Sequence, residues 1–202
     1  MDQGGDVLKP VVTDIDIDVP DREQVLRLFR NVPASNFKEG KRAGHNTGVY
    51  FHKVPVDPLT GRCALDYEEA EHLGYFKLDI LNVGIYKDVR DPKHMESLLE
   101  RDPVWELLEE QDFCDMVFHM RGHHGICKQM KPRDVLQLAA VLAMIRPAKR
   151  HLIGKPWRKV MDEVWTKPED DQYFFKKSHA VSYAMAVKMH MNLLVEQAME
   201  NQ

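Results

Sequence analysis

Hydrophobic and polar positions alternate strictly through VVTDIDIDVP, residues 11–20. On a strand that alternation sends Ile15, Ile17 and Val19 to one face and Asp14, Asp16 and Asp18 to the other. The apolar row can pack on a core. The acidic row sets like charges roughly 7 Å apart along one face, where they repel unless water screens them or a cation neutralises them. A solvated edge strand and a divalent-cation site both satisfy that pattern. Beyond a strand over 9–19, Pro20 and Asp21 suit the start of a helix from Asp21 to Arg30, and NVPASNFKEGKRAGHN reads as a polar loop. TGVYFHKV and GYFKLDILNV are strand candidates, separated by the turn DPLTG and the short helix DYEEAEHL.

The pattern then changes period. PRDVLQLAAVLAMI, GKPWRKVMDEVW and SHAVSYAMAVKMHMNLLVEQAME follow helical spacing, the last with Ser178 as its expected cap. The prediction is an α+β chain: a small mixed sheet carrying carboxylates over 1–120, then a helical lobe over 121–202, together forming one compact unit.

Composition adds bounds. The opening MDQGGD has no apolar stretch behind it, and the longest apolar run, LAAVLAMI at 138–145, is too short to cross a bilayer. Three cysteines without a CxxC suit a reducing compartment. A cytoplasmic protein with no membrane partner is expected. The net charge of −4 hides a strong asymmetry. Residues 96–115 hold eight acidic side chains against Arg101, whereas 121–160 hold Arg121, Lys128, Lys131, Arg133, Arg146, Lys149, Arg150, Lys155, Arg158 and Lys159 against Asp134. The second block suits a polyanion, with Lys149, Arg150 and Lys155 as its expected DNA contacts and the acidic stretch facing away.

Asp79, in YFKLDILNV, is a further strand-borne carboxylate flanked by Leu78 and Ile80. If its strand lies beside 11–19, Asp79 converges with Asp14 and Asp16 into an oxygen-rich nest for two Mg²⁺ or Mn²⁺ ions, about 3.5–4 Å apart in sites of in-line phosphoryl transfer.

These residues carry a resemblance. DIDIDVPDREQVLRLF resembles the catalytic aspartate motif of C-family bacterial DNA polymerases, the family of the DNA polymerase III alpha subunit. ALDYEEAEHLGYFKLDILNVG is similar to that family's second aspartate motif, in which a Lys stands two residues before the Asp. VFHMRGHHGICKQMKPRDVLQLAAVLAMIRPAKR resembles the passage from palm to fingers ending in Arg-Pro, and FFKKSHAVSYAMAVKMHMNLL resembles the Lys-Ser-His helix. The four stretches follow one another in family order.

The resemblance implies a polymerase beta-like palm followed by a fingers-like lobe. It implies catalytic, metal-binding Asp14, Asp16 and Asp79, with Asp18 in support, and contacts from Lys177, His179 and Arg146 to an incoming nucleotide. Family members carry a Gly-Arg-Gly-Ser-like phosphate loop upstream of the first aspartates, and MDQGGD has neither Arg nor Ser. The implied protein is therefore a minimal, phage-type DNA-directed DNA polymerase or one subunit of a split polymerase. It would work on a DNA primer-template and dNTP in the bacterial host cytoplasm, with a second chain supplying the loop and thumb. The alternative is a non-catalytic replisome mimic that binds DNA or a host replication protein. Separately, Cys114, His119, His123, His124 and Cys127 have spacings that permit a zinc site.

Overall fold

The structure, a computed structural model, describes residues 15–38, 41–168 and 174–201. Among these the chain is α+β. Strands β1 (Ile15–Val19), β2 (Val32–Lys38), β3 (Lys41–Tyr50) and β4 (Leu78–Asn82) form one mixed sheet in the order β1-β4-β3-β2. β1 runs parallel to β4, and the other neighbours are antiparallel. The helices are α1 (Arg22–Leu28), α2 (Tyr67–His72), α3 (Pro92–Glu100), α4 (Gln111–Met116), α5 (His124–Met130), α6 (Val135–Met144), α7 (Trp157–Glu163) and α8 (Lys177–Glu200). No helix among the described residues is long and apolar enough to cross a membrane.

The chain divides into two compact units, Met1–Lys87 and Asp88–Gln202. The helices from Pro92 onward belong to the second unit, where α3 packs with α8. In the first unit the sheet has two differently used faces. Val19, Val49 and Ile80 are buried on one, where Val25 and Leu26 of α1 cover them. Ile15 and Ile17 remain 41% and 39% exposed, so the apolar row of β1 is only partly enclosed. On the other face Ala34, Tyr50, Cys63 and Ala70 make a second small core.

The stretch 31–46, expected as a polar loop, instead supplies β2 and most of β3. Its β character comes from partners distant in sequence. Ala34 and Ser35 are fully buried, the Ser35 hydroxyl donates to the Cys63 carbonyl at 2.6 Å, and Asp66 accepts from the Phe37 amide at 2.6 Å. Such contacts override weak local preference.

Asp21, Asp66, Asp91 and Asp134 each cap a helix by accepting an amide of its first turn. The second unit is built on α6, whose residues Leu138 to Met144 are all buried, packed against Ala180, Ala184, Val187 and Met191 of α8. α8 opens two residues earlier than expected: Lys176 is its cap position and Ser178 lies in its first turn.

Candidate functional site

The parallel pairing of β1 with β4 places Asp16 directly opposite Asp79. Residues opposite one another on neighbouring strands project to the same face, so the two aspartates expected to converge do share a face. Asp18, two residues along the same row, accepts from the Tyr86 hydroxyl at 3.3 Å. Asp14 lies outside the described residues.

Asp79 is the buried member, 7% exposed. The Thr47 hydroxyl donates to its Oδ1 at 2.6 Å, and the Lys77 ammonium engages its Oδ2. His45 Nδ1 stands 3.6 Å from Oδ1 but accepts the Gly48 amide at 2.9 Å. Burial works against ionisation of Asp79, but the hydrogen bonds from Lys77 and Thr47 outweigh it and hold the carboxyl below the usual carboxylate range. Lys77 also lies over the Tyr67 ring, 5.9 Å from its centroid.

On the other side of Asp79, β3 presents Gly48 as its register partner. A Cβ at that position would come within 2.7 Å of Lys77 Cδ, 2.9 Å of His45 Nδ1 and 3.1 Å of Ala34 Cβ. Glycine there lets Lys77 and His45 reach the carboxylate. Arg22, at the head of α1, fixes the frame by donating to the Ile80 carbonyl at 3.1 Å and the Thr47 carbonyl at 3.4 Å. Of this set, sequence reasoning found the aspartates and missed the roles of Lys77, Thr47, His45 and Gly48. Lys77 was visible in principle, since it sits two residues before Asp79 and so shares its face.

The donor set of Asp16 and Asp79 is all carboxylate oxygen, which suits a hard divalent cation. Among the described residues no group of three or more His, Cys, Asp or Glu is placed to hold a metal. Two of the three expected carboxylates are on one face, with an ammonium where a cation would bind Asp79.

In the helical unit, Lys177 begins α8, exposed, with its ammonium 6.0 Å from the Trp165 ring centroid. Arg146 and His179 both meet Phe175: the guanidinium lies 5.3 Å from the ring centroid, and the imidazole centroid lies 6.4 Å away. Arg146 also lines a cavity of about 70 Å³ with His119, His123, Leu142, Ile145, Phe175 and Tyr183.

The basic block is less free than its composition implies. Lys149, expected on a phosphate-facing surface, is 4% exposed, and its ammonium donates to the Glu163 carbonyl at 2.8 Å and Thr166 Oγ1 at 3.0 Å. Burial lowers its pKa. The acidic stretch, expected to face away, reaches back: Lys131 pairs with Glu109 at 3.1 Å, and Arg133 pairs with Glu106 at 3.2 Å and with Glu109. Arg150 and Lys155 remain exposed.

The histidines and cysteines considered for zinc point to different tasks. Cys114 and Cys127 are both buried, free thiols; Cys114 Sγ donates to the Met120 carbonyl at 3.6 Å, and the neighbouring Cys114 thiol together with burial pushes the Cys127 thiol up. His124 Nε2 bonds the Glu109 carbonyl at 2.6 Å, while His119 and His123 line the cavity with Arg146. Compared with protein-family models, with curated proteins and with solved structures, the chain matches none.

Proposed function

We propose that the chain is a metal-dependent DNA polymerase-like nucleotidyltransferase, acting as one subunit of a split polymerase. The observation that carries this reading is the register of Asp16 against Asp79 on adjacent parallel strands, with Lys77, Thr47 and Gly48 built around Asp79. Asp14, Asp16 and Asp79 would hold two Mg²⁺ or Mn²⁺ ions, which when bound supply activation of a primer hydroxyl and neutralisation of a leaving pyrophosphate. The protein's own part is to fix the carboxylates. Arg22 pins α1 to β3 and β4, and Thr47 orients Oδ1 of Asp79. In the helical unit, Lys177, His179 and Arg146 are the candidates to receive the anionic groups of a dNTP, and exposed Arg150 and Lys155 those to receive DNA phosphates.

One observation favours the second reading, a non-catalytic replisome mimic. The Lys77 ammonium already neutralises Asp79, so the carboxylate is satisfied without a metal. The deciding assay is single-nucleotide extension of a primed template, by the purified chain and by the chain with any co-purifying partner. Mn²⁺-dependent incorporation that disappears in Asp79→Asn is expected. Absence of incorporation in both preparations, with DNA or replication-protein binding unchanged by Asp79→Asn, would establish the mimic.

A further inference from the structure

The cavity between α6, α8 and the segment 119–123 is lined by both polar and apolar side chains. Its polar members are the Arg146 guanidinium, the His119 and His123 imidazoles and the Tyr183 hydroxyl, and the remainder is Leu142, Ile145 and Phe175. All four polar groups can donate hydrogen bonds, and none is a carboxylate. Among the described residues, Arg146 Nε is buried without a hydrogen-bond partner, and no carboxylate lines the cavity. Among the described residues the charge meets the face of Phe175. A buried donor on a cation is costly to leave unmatched.

We infer that this cavity is a binding site for a single tetrahedral oxyanion, a phosphoryl group, received by Arg146 with His123 and Tyr183 completing its hydrogen bonds. Three features decide the ligand. A positive guanidinium whose polar neighbours in the cavity can all donate and include no carboxylate selects an anion, and its planar fork matches phosphate oxygens. The volume of about 70 Å³ admits a phosphoryl group but not a nucleoside. Burial, together with the nearby Arg146 and Arg150 charges, lowers the pKa of His123, so near neutral pH its ring is an uncharged donor or acceptor.

The site deepens the polymerase reading at Arg146, the residue placed there against a nucleotide's anionic groups, but it lies wholly within the helical unit and needs neither metal nor the aspartates, so its failure and that of the polymerase reading are separable. A phosphoryl group could arrive as free phosphate or at the end of a nucleotide or DNA strand. The test is titration of the full chain with inorganic phosphate, then with a nucleoside monophosphate, following the histidine ring signals by NMR. In the wild type, the signals of His119 and His123 should shift saturably, and chloride at equal ionic strength should not reproduce the shift. Arg146→Gln should weaken binding by about tenfold or more. Because Arg146 also packs on Phe175, Tyr183→Phe serves as the second variant: it keeps the ring and removes one hydroxyl, and should weaken phosphate binding severalfold in a chain that melts like the wild type. Saturation by both ligands at the same signals supports capture of a terminal phosphoryl group, and saturation by inorganic phosphate alone supports a free anion. Asp79→Asn should leave the response unchanged even where it abolishes incorporation. A cavity that holds water only would give no saturable shift, and that result, or equal binding by wild type, Arg146→Gln and Tyr183→Phe, would overturn the site.

Discussion

Lys77 and Asp79 form the pair on which the sheet unit's electrostatics turn. Removing the ammonium leaves a carboxylate that is 7% exposed without its cation, a change that costs about 3–5 kcal/mol when one partner of a buried pair is lost. The pH dependence fixes the sign. With Lys77 in place the folded pKa of Asp79 is lowered, so its contribution is present in full above the unfolded carboxyl pKa of about 3.9 and fades as pH falls through the lower folded value. In Lys77→Met, the burial that opposes ionisation is left facing only the weaker help of Thr47 and His45. Asp79 should then titrate higher than in the wild type, and much of the acid-induced loss should disappear. Urea unfolding of both proteins between neutral and acidic pH measures this: the variant should be less stable at neutral pH, with the gap narrowing on acidification. A gap that widens would show that Lys77 is not the counter-ion. The pair was only half legible in the sequence. Alternation marked the aspartates as chemically unusual, but nothing local says whether a lysine two residues away turns toward the carboxylate or toward water.

At the scale of elements, the sheet depends on one glycine in β3. Gly48→Ala drives a methyl group against Lys77 Cδ, His45 Nδ1 and Ala34 Cβ, and Ala34 is fully buried in β2 and cannot yield as a flexible side-chain end can. Crowding of this kind costs about 1–3 kcal/mol. The expected result is a lower urea midpoint together with a raised Asp79 pKa, because the lysine is displaced from its partner; an unchanged midpoint would mean that β3 shifts freely. Strand β1 and the long helix α8 could be read from periodicity because their own side chains declare their faces. The β2–β3 hairpin could not. Pro33, Asn36 and Gly44 are poor strand formers, and the residues that hold them in place, Cys63 and Asp66, belong to segments far along the chain.

For the whole molecule, net charge is a weaker guide than the pairing of charges. The basic block looked like a continuous DNA surface, yet Lys149 is consumed inside the helical unit and Lys131 and Arg133 are neutralised by the acidic stretch. Composition counts charges but not their partners. DNA affinity is therefore expected to rest on fewer cations than the sequence holds, with log K falling against log salt by about 0.9 per phosphate neutralised. Reversing Arg150 and Lys155 to Glu should flatten that slope by about two units, whereas Lys149→Gln should leave the slope alone and lower stability. Titrations at several salt concentrations decide between them, and a slope insensitive to the double reversal would remove these residues from the interface. The ammonium on Asp79 also sets an order of events. A chain that carries its own counter-ion has no need to wait for a metal before its sheet closes. Synthesis and purification in chelator should therefore yield the same melting curve as in magnesium, and any divalent ion that later reaches Asp79 must evict a tethered resident, so that loading answers to the free-ion concentration rather than to folding.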